Sequence, residues 1–252
     1  MARSIGPAVG WNKAGRLAAN YVRPSMSTRT APAARIAWMS LLVLASLAPA
    51  GVAGAEELAI GAHEWRVVAR ESGPDDYYAI VHADASAPAW FVHSHYRPPE
   101  ATTVLGYQVP DADRSKVRTV RWKWRAEALP RGGDECAAGK QDSAAVVYLT
   151  FKRGLHWYTL KYVWSAVGPK GATCDRKGGL FSTQDTVILE SGGPLDVWRE
   201  EQIDLAAEFR AHFEQGRAGA DVPAFVGIGL MSDGDQTKSD SSADFADFVL
   251  AW

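Results

Sequence analysis

The chain has 252 residues, 27 basic and 29 acidic, with ten tryptophans. Residues 1–55 hold six of the basic residues and no Asp or Glu, which leaves 21 basic against 29 acidic in 56–252, a formal charge of −8. An acidic segment without a basic stripe argues against a nucleic-acid reader and against a protein held by charge on an anionic membrane.

The chain opens with basic residues scattered over 1–35, then the apolar run Ile36–Leu47, then small residues up to Ala55. A basic flank, a short apolar stretch and an A-x-A-like end are the parts of a secretory signal peptide. The run falls short of the roughly 20 residues that a membrane span needs. Signal peptides begin near their basic flank, so Met26 is the expected start. Residues 1–25 then read as an over-extended start, 26–55 as the signal peptide and 56–252 as one domain. An exported protein of the periplasm or the exterior is expected, with no stable membrane insertion after cleavage.

Strand signals dominate the remainder. In chain order they fall at 65–69, 77–82, 90–96, 103–109, 120–126, 145–151, 156–164, 186–190, 198–203, 224–231 and 245–252. The clearest places Val120, Trp122, Trp124 and Ala126 on one face and Arg121, Lys123 and Arg125 on the other, the pattern of a half-buried strand. Residues 145–151 are apolar on both faces and read as a central strand, with 156–164 its hairpin partner across a Gly-containing turn. One segment has helical spacing: from Asp204, an N-cap residue type, Leu205, Phe209 and Phe213 recur every fourth position. Strands without βαβ alternation predict an all-β fold, a two-sheet antiparallel β-sandwich of jelly-roll type with one short helix.

Several residue sets could carry chemistry. His93 and His95, two apart on a strand, point the same way and could share a metal. Glu100 and Gly106 follow at spacings close to a cupin metal motif, although Pro98-Pro99 interrupts the strand. Cys136 and Cys174 are the two cysteines, and an even pair in an exported chain predicts a disulfide. His156, Tyr158 and Tyr162 share one strand face and are candidate proton-shuttle residues. Trp157, Trp164 and Trp198 are candidate ligand platforms, since aromatic faces pack on the C–H surfaces of sugars. Asp233, Asp235, Asp244 and Asp247 offer oxygens near the C-terminus, and calcium is the cation that such a loop suggests. Lys238 stands there where an EF-hand loop carries Gly, and the closing Glu is missing. Alternation over 245–252 puts Asp247 on the same face as Phe245 and Val249, inside an interior strand, where a carboxylate needs a partner.

An ordered set of short motifs resembles domain-of-unknown-function family 3047, a group of bacterial exported proteins. The set comprises Trp122-Lys-Trp124, Lys140-Gln-Asp142 leading into Val147-Tyr148, Tyr162-Val-Trp164, and Trp198 leading into Asp204, Phe209 and Phe213. Asp233-Gly-Asp235-Gln-Thr237 and Asp244-Phe-Ala-Asp247 complete it. The resemblance spans about residues 64–252, with departures at Ser143, Val146 and Glu214. It implies export and a β-sandwich related to carbohydrate-binding folds, without an established activity. The resulting expectation is a non-catalytic binding module for a carbohydrate-like ligand. The alternatives are a polysaccharide lyase or hydrolase on the same fold, and a structural or partner-binding protein of the envelope.

Overall fold

The alternation of the tryptophan strand decides which side of the molecule is inside. In a computed structural model of the protein, Val120, Trp122, Trp124 and Ala126 are fully buried, and the residues between them are partly exposed. They lie on β6 (Thr119–Ala128). The structure describes residues 56–69, 77–83 and 88–252; the expected leader and signal peptide, 1–25 and 26–55, lie outside these.

The described residues form two packed sheets. The first has β11 (Arg199–Asp204), β6, β13 (Ser241–Ala251), β4 (Trp90–Tyr96) and β3 (Tyr78–His82) in that order, with β1 (Glu57–Ala59) pairing β13. The second runs β2 (Arg66–Ala69), β5 (Val104–Gln108), β12 (Ala224–Met231), β7 (Ser143–Arg153), β8 (His156–Ser165), β10 (Ser182–Ser191) and β9 (Thr173–Gly178). Each of the eleven expected strands is present, and β7 is central in its sheet as its two apolar faces require. The strands that patterning misses, β1 and β9, are edge segments of three and six residues. One pairing departs from the antiparallel expectation: β8 and β10 are parallel.

Between the sheets lies an aromatic core. Trp122 packs edge-on to Trp124, stacks on Phe248 and meets Tyr162 across the sandwich. Burying each such ring removes some 150–250 Å² from water, which makes this cluster the main apolar contribution to folding. The helix α1 (Leu205–Phe213) caps one flank. The Asp204 carboxylate accepts from the Ala206 and Ala207 N–H groups, as its N-cap position predicts. Phe209 enters the core against Phe151 and Tyr158. Among the described residues no helix is long and apolar enough to cross a membrane.

A bulge corrects the reading of the last strand. Register shifts between Ala246 and Val249, and Asp247 takes a left-handed φ of 52°. The extra residue breaks the period of two, so Phe245, Phe248 and Leu250 all face the core. Asp247 is thereby turned outward, where its carboxylate meets Lys123 Nζ at 2.9 Å. The buried carboxylate of this strand is Asp244 instead.

Candidate functional site: a groove across the seven-stranded sheet

The face of the second sheet away from the core is built by alternation. On β7, Ala145, Val147, Leu149 and Phe151 point into the core, leaving Val146, Tyr148, Thr150 and Lys152 on the opposite face. On β8 the corresponding residues are Val163, Lys161, Thr159 and Trp157, each in register with its β7 counterpart. β10 adds Ile188, Thr186 and Gln184 beside Val163, Lys161 and Thr159. On the other side Gly229 is level with both Tyr148 and Gly106.

The two halves of this face differ. In the upper half Val146, Val163, Ile188 and Met231 form a small buried cluster of their own. The segment 131–142 lies against it. From that segment Glu135 reaches down to pair with Lys161, and Ser143 Oγ donates to the other oxygen of Glu135 at 2.7 Å. Both ends of the ion pair are buried. Burial alone pulls the Lys161 ammonium down, but Tyr148 and the Glu135 carboxylate hold it above the ordinary lysine value. Cys136, next in sequence, is bonded to Cys174 on β9, with Cα atoms 5.0 Å apart. The expected disulfide thus ties the Glu135 segment to the edge of the sheet.

The lower half is open and forms a groove of about 630 Å³. Gly106, Gly227 and Gly229 make its floor. A Cβ on Gly229 would stand 3.1 Å from Val104 Cγ1 and 3.2 Å from Tyr148 Cδ2, so a larger residue would fill the space. Glycine within a strand often marks such a close approach. Thr150, Thr159, Gln108 and Gln184 supply hydroxyl and amide groups along the groove, and burial keeps the Tyr148 phenol neutral by raising its pKa. At the mouth Trp157 is 41% exposed, with Lys152 Nζ 4.4 Å from the centre of its ring. Leu155, Leu180 and Phe181 are exposed on the adjoining turns, and the Trp157 N–H donates to the Phe181 carbonyl. Among the described residues, the groove's lining includes Lys152 and Arg114 but no carboxylate.

The three candidate tryptophans occupy three different places. Trp157 lines the groove. Trp164 is buried in the core, with Nε1 donating to the Gly192 carbonyl at 2.8 Å. Trp198 packs on the outer face of the first sheet, against Phe91 and under the Arg125 guanidinium at 4.9 Å. His156, Tyr158 and Tyr162 share a face as expected, and it is the inward one. Tyr158 packs against Phe209 and Phe213, the Tyr162 hydroxyl donates to Glu208 at 2.8 Å, and His156 Nε2 lies 2.9 Å from Thr183 Oγ1. None of the three lines the groove.

The carboxylates expected to act together are divided. Asp233 and Asp235 converge with Asp142, their oxygens within 4.8 Å of one another. Gly234 between them leaves no room for a side chain, since a Cβ would fall 2.1 Å from the Ser239 carbonyl. Lys238 adopts the left-handed φ, 52°, that a glycine would supply at that place. Asp142 accepts from the Thr237 and Gln236 N–H groups, at 2.6 and 3.2 Å. Burial, with Asp235 nearby, pushes the Asp233 carboxyl up to about 7.

Asp244 belongs to a separate cluster on the first sheet. Arg125 donates to it from Nε at 2.7 Å, and His93 Nδ1 lies 2.8 Å away. Glu127 is 3.4 Å from the same imidazole nitrogen. Burial opposes a charge on His93, yet the Asp244 contact holds its pKa above the ordinary value. His95 lies beside it, ring centres 6.0 Å apart. Glu100 turns back to accept from the Arg97 N–H at 3.2 Å, and Gly106 is on the other sheet, so the cupin-like set does not assemble. Sequence reasoning missed Lys152, Thr150, Thr159, Gln108 and Gln184 as groove residues. The available signal was three glycines, 106, 227 and 229, inside strands.

Solved structures with a similar fold include the xyloglucanase domain of NopAA, a type three effector from Sinorhizobium fredii, in complex with cellobiose. It is 13% identical, with a TM-score of 0.39, over 77% of this chain and 97% of that one. A family 11 carbohydrate-binding module from Clostridium thermocellum is 11% identical, with a TM-score of 0.34, over 80% and 90%. Endoglucanase 3 of family GH12 from Trichoderma harzianum is 8% identical, with a TM-score of 0.40, over 79% and 98%. No curated protein matches the chain. A family model described as "Protein of unknown function (DUF3047)" matches residues 63–249, and the chain belongs to that family.

Proposed function

We propose that the protein is a non-catalytic binding module of the envelope or exterior that takes a carbohydrate-like ligand in the groove of the seven-stranded sheet. The observation that carries this reading is Trp157, a half-exposed indole at the mouth of a groove floored by three glycines. An indole offers an apolar face to sugar C–H groups, and the neighbouring threonines and glutamines offer hydroxyl and amide partners to sugar hydroxyls. Glycoside hydrolysis uses two carboxylates flanking the bond. Among the described residues the lining of this groove has neither, which favours binding over hydrolysis. Export is supported by the disulfide, a bond that persists in oxidising compartments.

The test is a glycan-array screen of the purified protein, followed by calorimetry on the best binders and run beside assays for reducing-end and unsaturated products. Trp157→Ala should weaken binding by about tenfold or more, since an aromatic contact of roughly 1.5 kcal/mol corresponds to that factor. Gly229→Val should fill the floor and abolish binding while the protein still melts cooperatively. Product release from any bound glycan, or binding indifferent to both substitutions, would overturn the proposal.

A further inference from the structure

We infer that the ligand is anionic: an oligosaccharide carrying carboxylate or sulfate groups, seated with a charged group at the Lys152 end of the groove. This deepens the binding reading above and rests on it.

The first observation is a reversal of sign. Residues 56–252 carry eight more acidic than basic residues. Yet among the described residues the charged side chains that line the groove are Lys152 and Arg114, both cationic. On an acidic surface an anionic glycan is repelled almost everywhere, and a basic groove is where the field favours it.

The second observation is that both cations lie toward one end of the groove. Lys152 is in register with Ala224 on one side and with Trp157 on the other. The N–H of Phe225, the residue after Ala224, donates to the Arg114 carbonyl. Both residues therefore lie toward the end where β12 begins, Lys152 beside the indole and Arg114 across the groove on the β5 side, where its Nε donates to the Val109 carbonyl. Val104, Gly106 and Gly229 line the opposite end, which presents an apolar floor.

The third observation concerns what already holds these charges. Lys152 pairs with no carboxylate among the described residues; its contact is the Trp157 ring. Arg114 Nε donates to the Val109 carbonyl at 2.9 Å, and its Nη2 meets Asp111 at 2.7 Å. The Asp111 side chain is 87% exposed, so that pair is a solvent-screened one that a ligand anion can replace at little cost. The ammonium stands over one face of the indole, so an acidic substituent drawn to the nitrogen brings its sugar ring to Trp157. Thr150, Thr159 and Gln184 continue along the neighbouring strands, within reach of the ring hydroxyls.

Calorimetry on the purified protein with three probes of matched length, a uronic-acid oligosaccharide, a sulfated oligosaccharide and a neutral one, tests the inference. At least one anionic probe should bind about tenfold tighter than the neutral probe, and raised salt should narrow that gap. Lys152→Ala should cost the anionic probe about tenfold and the neutral probe less than about twofold. Lys152→Glu should reverse the preference, with thermal melts showing that both variants fold. The tighter of the two anionic probes identifies the acidic group. Neutral binding as tight as anionic, with Lys152→Ala without effect on the ratio, overturns the anionic inference and leaves glycan binding standing. Binding of none of the probes, or binding that Trp157→Ala leaves unchanged, overturns both.

Discussion

Glu135 and Lys161, 26 residues apart, form an ion pair in which both side chains are almost wholly withdrawn from water. Their attraction has to offset two desolvation costs, so the pair itself need add little to stability. Removing one member is a different matter. Glu135→Ala would leave the ammonium buried beside the Tyr148 ring, and a loss of about 3–5 kcal/mol is expected in denaturant melts. The double replacement Glu135→Leu with Lys161→Met should recover most of that loss. If Glu135→Ala melts like the wild type, the ion pair is not formed in solution.

Reduction of the disulfide acts on the same segment from the other side. The Cys136–Cys174 bond closes a loop of sequence separation 38, for which the chain-entropy account gives about 4 kcal/mol. Cys136→Ser with Cys174→Ser should lower stability by about that amount. Glu135 should become more mobile, with faster amide exchange over 131–142 than over β7. Two titratable thiols in the oxidised protein would contradict the bond.

Asp233 sets a pH dependence whose sign is fixed by its burial. Its carboxyl is pushed up to about 7 in the folded state, by burial and by Asp235, from an ordinary value near 3.9 in the unfolded chain. The folded state therefore holds the proton more tightly. Stability is highest below the unfolded value and falls as pH rises through about 7. In the presence of a chelator, the melting temperature should drop between pH 5 and pH 8, and Asp233→Asn should flatten the drop. Calcium titrated at pH 8 checks the expected calcium role of Asp233 and Asp235. A rise in melting temperature that Asp235→Ala removes supports it, and no rise leaves the loop as a turn without a cation.

His212 gives a second titration, on the helix. Its Nε2 lies 3.4 Å from Glu208 and its Nδ1 2.9 Å from Asp185, and these carboxylates raise its pKa. The contribution is fully present below the ordinary histidine value and fades as pH rises through the raised one. Amide exchange along α1 should accelerate over that upper range, and His212→Gln should remove the dependence. A helix whose exchange free energy is flat in pH would refute the linkage.

Much of the fold was legible because the sandwich is built from simple alternation. Val120 to Ala126 shows its inner and outer faces at once, and Asp204 marks the helix start by its side-chain chemistry. Asp247 shows where alternation stops informing: one inserted residue reverses the face, and no local signal marks the bulge. The groove was harder to read because the same alternation that exposes Trp157 also exposes Trp198, on the other sheet. Only pairing between strands distant in sequence, β5 with β12 and β12 with β7, brings Gly106 and Gly229 together. Likewise Asp142 joins Asp233 through a contact of sequence separation near 90, which spacing around the Asp233 loop does not contain.

The parallel pairing of β8 with β10 sets a length requirement on the chain. β8 ends at Ser165 and β10 starts at Ser182, which is in register with Trp157 near the start of β8. Residues 166–181 must therefore travel back along almost the whole strand, roughly 30 Å at the rise of a β-strand. That return path carries Cys174 past the upper half of the face and delivers Phe181 to the mouth of the groove. One connection thus gauges both ends of the site. A deletion of a few residues within 166–181 would pull the clasp and the rim toward each other, whereas added residues could be absorbed as slack in the turns.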